Sequence, residues 1–231
     1  MKLMHPLFSS PIHFRENSIQ VLTIEHAPTF RKMVLELTAQ AEGGEGRFVL
    51  SEDGNVLDCG ESLRLISDYA HLEQVDKRLA GKLILALIRE AHEELALETA
   101  QLSLAVQRYL GRLCELADFP VGYDRSENIA ALLKAMNFGV DLGHLDAEEA
   151  LYERISLNNL AVRHLCMVLV HAKAYFSPDE LSRLYRMARY RKWNLLLLES
   201  HPYPERLEGE DHLLFDRDLC ELRLENGDKF L

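Results

Sequence analysis

Two apolar runs in the last third of the chain show its clearest pattern of hydrophobic positions. Residues 165–170 read LCMVLV and residues 193–198 read WNLLLL. Continuous apolar runs of this length are typical of strands that are covered on both faces. Between them, Ser177 and Pro178 supply an N-cap and a first-turn proline, which predict a helix that ends near Tyr190. The order strand, helix, strand predicts a right-handed βαβ unit in a parallel sheet.

The amino-terminal part alternates strands and a helix in the same way. Residues 19–24 (IQVLTI) are rich in β-branched side chains and predict a strand. Ala27 to Ala41 predicts a helix, because proline stands in its first turn and two glycines follow its end. Residues 48–57 predict a hairpin around a polar turn, and residues 63–66 predict another short strand.

The middle of the chain has a different pattern. Residues 72–118 contain no proline and are dense in Leu, Ala, Glu and Arg. One helix of that length would be about 70 Å long, which exceeds the width of the rest of the protein. We therefore expect either a kinked helix or two helices folded back near Ala100, projecting from the main body. Residues 128–136 then predict a short helix, and residues 139–142 a strand.

These patterns predict an α/β fold with an inserted helical domain. Asp146 is a candidate N-cap for one more helix, since two glutamates follow in its first turn. Residues 212–224 predict edge strands. We expect a head domain with a mixed, partly parallel sheet, built from residues 1–69 and 138–231, and an α-helical domain over residues 70–137.

Composition and charge narrow the classes of function. The 231 residues include 37 acidic and 26 basic side chains, for a formal net charge of -11. This balance argues against a broadly basic surface that coats nucleic acid. A local basic channel remains compatible with it, because charges beyond about 8 Å are screened at physiological salt.

The ends and the cysteines indicate a cytoplasmic protein. The amino terminus has no apolar run of signal-peptide length, and no stretch approaches the ~18 apolar residues of a spanning helix. The four cysteines are widely spaced and form no CxxC pair. We expect buried or free thiols in a reducing compartment, with neither a disulfide framework nor a zinc site.

The sequence carries no complete catalytic motif. Residues 24–29, where a strand meets a helix, contain no glycine and no P-loop lysine, so no backbone cradle for phosphates is expected there. The GxSxG and HExxH signatures of hydrolases are also absent. Glu199 follows four leucines and imitates a Walker B strand. A degenerate nucleotide-dependent enzyme that uses Glu199 is therefore one hypothesis for the function. We nevertheless expect no catalysis.

Three basic residues on the predicted long helix could contact a phosphate backbone. Arg78, Lys82 and Arg89 fall within a sector of about 40° when successive residues are placed 100° apart. They form a row about 16 Å long, which we call the cationic ridge. A row of cations at this spacing suits a phosphate backbone. The alternative interpretation is a solvated helix face with glutamates nearby.

A second basic row lies on the helix between the two apolar runs. Arg183, Arg186 and Arg189 are followed by Arg191 and Lys192. The apolar residues of this helix fall on its other side, as expected for a crossover helix against a sheet. The row is either a partner or phosphate patch, or it pairs with the acidic carboxyl-terminal segment.

Four acidic residues cluster where the helical domain returns to the head. Glu115, Asp118, Asp124 and Glu127 are hard oxygen donors, and calcium takes six to eight oxygens, often from carboxylates and loop carbonyls. Their spacing is not that of an EF-hand loop.

Four stretches of the chain carry a family resemblance. They are PIHF (11–14), SIQVLTIE (18–25), GYDRSEN with IAALLKAMNFGVDL (122–142), and the long segment from LCMVLV to ESHPY (165–203). Together they resemble the Csn2 family, the small protein of type II-A CRISPR systems that takes part in acquiring new spacers. The resemblance implies Asp118, Asp124 and Glu127 as candidate ligands for calcium. Asp124 matches the turn motif of the family directly, whereas Asp118 and Glu127 are placed by neighbourhood.

The resemblance implies a non-catalytic protein that binds double-stranded DNA ends. Members of the family form a homotetrameric ring of α/β heads and helical legs that encloses duplex DNA, with calcium at the junction of head and leg. They work beside the CRISPR integrase complex and the RNA-guided effector nuclease. Their fold is related to P-loop NTPases but lacks the P-loop. The alternative function is a structural protein–protein adaptor without affinity for DNA.

Overall fold

The computed structural model describes residues 1–124 and 129–224, and the chain divides into two compact units. The α/β unit comprises Met1–Gln74 and Leu142–Leu231, and the helical unit comprises Val75–Asp141. Among the described helices, none is long and apolar enough to span a membrane.

Eighteen helices and strands lie within the described residues. The strands are β1 (Lys2–Met4), β2 (Ile12–His13), β3 (Ile19–Ile24), β4 (Val49–Glu52), β5 (Asn55–Leu57), β6 (Leu63–Ile66), β7 (Cys166–Val170), β8 (Asn194–Glu199), β9 (Glu210–Phe215) and β10 (Glu221–Leu224). The helices are α1 (Ala27–Ala41), α2 (Cys59–Ser62), α3 (Lys77–Glu94), α4 (Ala96–Glu115), α5 (Ile129–Ala135), α6 (Ala147–Ala161), α7 (Ala172–Tyr175) and α8 (Pro178–Arg191).

The main sheet has six strands in the order β10-β9-β3-β8-β7-β6. The five strands from β9 to β6 are parallel, and β10 alone runs antiparallel to its neighbour. Val21 in the central strand pairs with Leu197 on one side and with His212 on the other. The predicted α/β class with a mixed, partly parallel sheet is confirmed. Edge strands are expected within residues 212–224, and β10 does lie at an edge, whereas β9 lies inside the sheet because it pairs with both β3 and β10.

A smaller antiparallel sheet has the order β2-β1-β4-β5. The predicted hairpin is confirmed as β4 and β5, joined by Asp53 and Gly54 with φ of 49° and 84°. Two successive residues at positive φ make the tight turn that matches the twist of a hairpin, and Asp-Gly tolerates it well.

Two apolar layers cover the faces of the main sheet. On one face, Ile155 of α6 and Leu184 of α8 pack with Val21 and Leu197. On the other face, α1 and the smaller sheet pack against side chains such as Leu22 and Leu198. The inner strands β3, β7 and β8 are buried on both faces, which explains why β7 and β8 read as continuous apolar runs.

The helices that cover the first face begin with the caps that the sequence predicts. Asp146 accepts a hydrogen bond from the backbone N–H of Glu149 and completes a capping box. Ser177 makes the same box with Glu180, and Pro178 occupies the first turn of α8. These caps satisfy amide groups that would otherwise lack partners at the start of each helix.

The helical unit contains α3, α4 and α5. The run predicted over residues 72–118 consists of two helices, and the break lies at Leu95 rather than near Ala100. Leu95 has φ of -116° and ψ of 28°, yet its N–H bonds the carbonyl of Ala91 and its carbonyl accepts from Thr99. The hydrogen-bond ladder therefore continues across the break. The strand expected at residues 139–142 is wrong, because no described strand pairs with this segment.

Candidate nucleic-acid interface

The three residues of the cationic ridge lie on α3. Asp76 caps this helix by accepting from the backbone N–H groups of Arg78 and Leu79. Arg78, Lys82 and Arg89 are all exposed. Because these positions are four and eleven residues apart on one regular helix, the structure brings them to the same side over about 16 Å.

The opposite side of α3 carries its less exposed residues. Leu79, Leu83, Ile84 and Ile88 are half-buried, and no residue of α3 is fully buried. Leu87 also points away from the ridge by its spacing, but its exposed fraction is 46%. The cations therefore lie away from the half-buried apolar residues of α3, as predicted. Leu87 is the exception, because it is predicted on the apolar side but is exposed.

Two further cations on α4 were missed by the sequence analysis. Arg108 and Arg112 are exposed and stand four residues apart, so they share one face of the helix. Their spacing is the same signal that identified Arg78 and Lys82. The interface candidates of the helical unit therefore include cations from both long helices.

The helical unit also exposes many large apolar side chains. None of the residues of α3, α4 and α5 is buried. The exposed apolar residues of this unit are Leu85, Leu87, Leu95, Leu97, Leu102, Leu104, Val106, Tyr109, Leu113, Leu116, Phe119, Val121, Met136 and Phe138. Apolar surface of this extent is typical of interaction sites rather than of a unit that stands alone in water.

The candidate calcium ligands fall in the loop after α4. Asp118 and Asp124 are exposed, whereas Glu127 lies outside the described residues. Tyr123, beside Asp124, donates a hydrogen bond of 3.2 Å to the backbone carbonyl of Gln107 and ties this loop to α4. In residues 1–124 and 129–224, no group of three acidic, histidine or cysteine side chains could hold a metal ion. Asp118 and Asp124 can supply part of the six to eight oxygens that a calcium ion takes.

The basic row on α8 is largely occupied by ion pairs within the α/β unit. Arg183 makes two hydrogen bonds of 2.6 Å to Glu148. Arg189 lies 3.9 Å from Glu208, and the Lys192 ammonium lies 3.0 Å from Glu16. Of these three acidic partners, only Glu208 belongs to the acidic carboxyl-terminal segment. Among the described residues, the predicted pairing with the acidic carboxyl-terminal segment therefore holds for Arg189, whereas Arg183 and Lys192 pair with acidic residues elsewhere in the unit.

Glu199 ends β8 in a buried environment. Its Oε1 accepts a hydrogen bond of 3.0 Å from the backbone N–H of Lys173. Its Oε2 has no hydrogen-bond partner among the described residues, and the nearest imidazole nitrogen, Nδ1 of His171, is 3.8 Å away. Burial raises the pKa of Glu199 to about 7, despite the hydrogen bond from Lys173. The side chain is 0% exposed, so it faces the interior of the unit.

Comparison with known proteins identifies the family. The model of the family described as CRISPR-associated protein (Cas_Csn2) matches residues 40–219. A comparison with curated proteins finds no match. The matched segment spans most of the 231 residues, from the end of α1 to the turn before β10. On this match and on the α/β fold described above, the chain belongs to the Csn2 family of CRISPR-associated proteins.

Proposed function

We propose that this protein is a non-catalytic, cytoplasmic protein that binds double-stranded DNA ends as a homotetrameric ring during CRISPR spacer acquisition. Its partners in this proposal are the CRISPR integrase complex and the RNA-guided effector nuclease. Membership of the Csn2 family supports the association with CRISPR. The observation that carries the DNA-binding part is the cationic ridge, which lies exposed on one side of α3.

The ridge has dimensions suited to duplex DNA. Its length of about 16 Å corresponds to about five base-pair steps along the axis of duplex DNA, where each strand carries one phosphate per 3.4 Å. Contacts to phosphates carry no sequence information, so we expect binding without sequence preference and with a strong dependence on salt. The protomer has a net charge of -11, and binding therefore depends on cations that converge locally while the acidic residues face elsewhere.

The apolar surface of the helical unit supports association of several copies. Large exposed residues such as Leu104, Tyr109 and Leu113 need a partner surface to leave water. In a ring of four protomers, the three ridge cations would repeat four times around a central hole. This arrangement would concentrate positive charge on one inner surface of an acidic assembly.

We include calcium in the proposal because the chain offers carboxylate donors near the end of α4. Asp118 and Asp124 offer carboxylates on the loop after α4, and Glu127 offers a third in the sequence. Calcium titration calorimetry on the wild-type protein and on Asp124→Asn tests this. Saturable heat that the substitution removes would support these ligands, and no heat with the wild type would refute them.

A gel-shift series tests the ring. It compares linear duplex DNA with covalently closed circular duplex of the same sequence, each with calcium and with a chelator. Binding to the linear form alone is the expected result, because a closed ring must be threaded from an end. Equal binding to both forms would instead indicate an open surface patch. Failure to bind either form would overturn the DNA-binding proposal.

The exposed apolar surface also favours the alternative function, a protein–protein adaptor without affinity for DNA. Substitutions in the cationic ridge distinguish the two functions. In an adaptor, replacing Arg78, Lys82 and Arg89 with Glu leaves partner binding intact, and the wild type shows no affinity for duplex DNA. In the DNA-binding ring, the same substitutions abolish DNA binding.

A further inference from the structure

A groove of about 590 Å³ lies between α6 and α8 on the outside of the α/β unit. Its floor is apolar and includes Leu151, Phe176 and Leu184, which also belong to the core on that face of the sheet. The half-buried Met187 extends this apolar floor along α8.

The rim of the groove is strongly acidic. Five of its lining residues are carboxylates, and Arg183 is the only cation among the lining residues that the structure describes. The carboxylates are Asp146, Glu148, Glu149, Glu153 and Glu180. Hydrogen bonds from Ser177 hold the pKa of Glu180 below its usual range, so this group is charged at neutral pH. The rim therefore repels nucleic acid and attracts cations.

The capping boxes of the two helices explain where these charges stand. α6 and α8 each precede a parallel strand, so both helices run in the same direction and begin at the same end of the groove. Asp146 and Glu180 belong to the two boxes, and the charge of Asp146 acts directly on Glu180. The negative potential is therefore concentrated at one end by the same residues that stabilise the helices.

One ion pair crosses the groove from wall to wall. Arg183 of α8 holds both carboxylate oxygens of Glu148 of α6, and the two side chains are 49% and 30% exposed. Water reaches both side chains, so an incoming cation can compete with the Arg183 guanidinium for the Glu148 carboxylate. The pair shows that a carboxylate of this rim binds a guanidinium group.

We propose that this groove docks an amphipathic helix of a partner protein, with its apolar side chains on the floor and its Lys or Arg side chains against the acidic rim. A helix laid between two helices is a common mode of recognition, and the apolar stripe of such a helix matches an apolar floor between two walls. Charge complementarity selects a basic helix over an acidic one. The site is separate from the cationic ridge, which attracts phosphates, so the proposal does not depend on DNA binding.

Fluorescence anisotropy with synthetic peptides tests the proposal. The probe is a labelled peptide of about 18 residues with Leu on one helical face and Lys on the other, long enough to form a helix. One comparison peptide carries Glu in place of Lys, and another has the same composition in scrambled order. We expect the Leu/Lys helix to bind at least about tenfold more tightly than either, a difference of about 1.4 kcal/mol.

Substitutions in the protein locate the binding. Glu148→Lys with Glu153→Lys reverses the rim and should weaken binding of the Leu/Lys helix by at least about tenfold. Glu42→Lys with Glu45→Lys makes the same charge change at exposed positions outside the groove and should leave the affinity unchanged. Met187→Glu, at a half-buried position, tests the floor with little risk to folding.

Three results would overturn the proposal. They are the absence of binding by the Leu/Lys helix, equal binding by the scrambled peptide, and equal weakening by the Glu42 and Glu45 substitutions. Duplex-DNA binding measured on the same variants should not change. A loss of DNA binding without a loss of peptide binding would contradict the proposed separation of the two sites.

Discussion

Lys173 and Glu210 form an ion pair inside the α/β unit, with Nζ of the lysine 2.6 Å from Oε1 of the glutamate. Their side chains are 5% and 0% exposed. The same carboxylate accepts hydrogen bonds from the Tyr185 hydroxyl, from Nε2 of His212 and from the backbone N–H of Leu207. Burial opposes ionisation of Glu210, but the hydrogen bond from His212 and the charge of Lys173 outweigh it and lower the pKa of Glu210 to about 2.

Replacing Lys173 should show how strongly the stability of the protein depends on the ion pair with Glu210. Lys173→Met leaves a buried carboxylate without its ammonium partner and should lower the free energy of unfolding by about 3–5 kcal/mol. Urea denaturation at pH 7 measures the loss. Lys192→Met is the matched control, because the Lys192–Glu16 pair is exposed on both sides and contributes at most about 1 kcal/mol. Equal losses in the two variants would contradict the role of burial.

Glu199 should make the protein less stable as the pH rises. Its carboxyl has a pKa of about 7 in the folded chain and about 4.5 when unfolded. Between these values the unfolded state has lost the proton and the folded state retains it, so stability falls with rising pH and the full penalty is present above pH 7. The surrounding titratable groups, Lys173, Glu210 and His171, remain in place when Glu199 alone is changed.

Glu199→Gln removes this titration while keeping an oxygen to accept from the Lys173 N–H. The gain in unfolding free energy over the wild type should therefore be about 2 kcal/mol larger at pH 8 than at pH 5. Urea denaturation at the two pH values gives both differences. A gain that is independent of pH would show that Glu199 is ionised throughout this interval.

Reversing the cationic ridge should abolish binding to duplex DNA. The triple variant with Arg78, Lys82 and Arg89 replaced by Glu loses the proposed phosphate contacts and adds repulsion. Fluorescence anisotropy with a linear duplex should show at least about a hundredfold weaker binding and a shallower dependence on salt.

The control for the ridge variant makes the same charge change in the α/β unit. Arg186, Arg191 and Arg217 are exposed, and their replacement by Glu should leave DNA affinity within about twofold of the wild type. If this second variant loses binding while the ridge variant keeps it, the surface around α8 is the DNA-binding site and the ridge is a solvated helix face.

The four cysteines should react with Ellman's reagent in three kinetic phases. All four are free thiols. Cys59 and Cys166 are buried, and burial raises the pKa of both thiols, so they should react only when the protein unfolds. Cys220 is exposed and should react first, followed by the half-buried Cys114. Rapid reaction of all four thiols in the native protein would contradict this burial pattern.

The local elements of the fold could be predicted from the sequence because their causes lie within a few residues. Ser177 and Glu180 form one capping box, and Asp146 with Glu149 forms the other, so both helix starts are encoded in four-residue segments. The strand at β3 and the turn at Asp53 follow from β-branched composition and from Asp-Gly. The cationic ridge was predictable for the same reason, since helical spacing alone places its three members on one side.

Contacts between distant segments were decided only by the tertiary structure. The sequence does not show that Glu210 contacts Lys173. It also does not show that β9 lies between β10 and β3 rather than at an edge, because strand order depends on pairing between remote parts of the chain. The partners of Arg183 and Lys192 and the groove between α6 and α8 arise in the same way. Periodicity determines which side chains share a face, whereas burial, ion pairing and pKa depend on what the fold brings against that face.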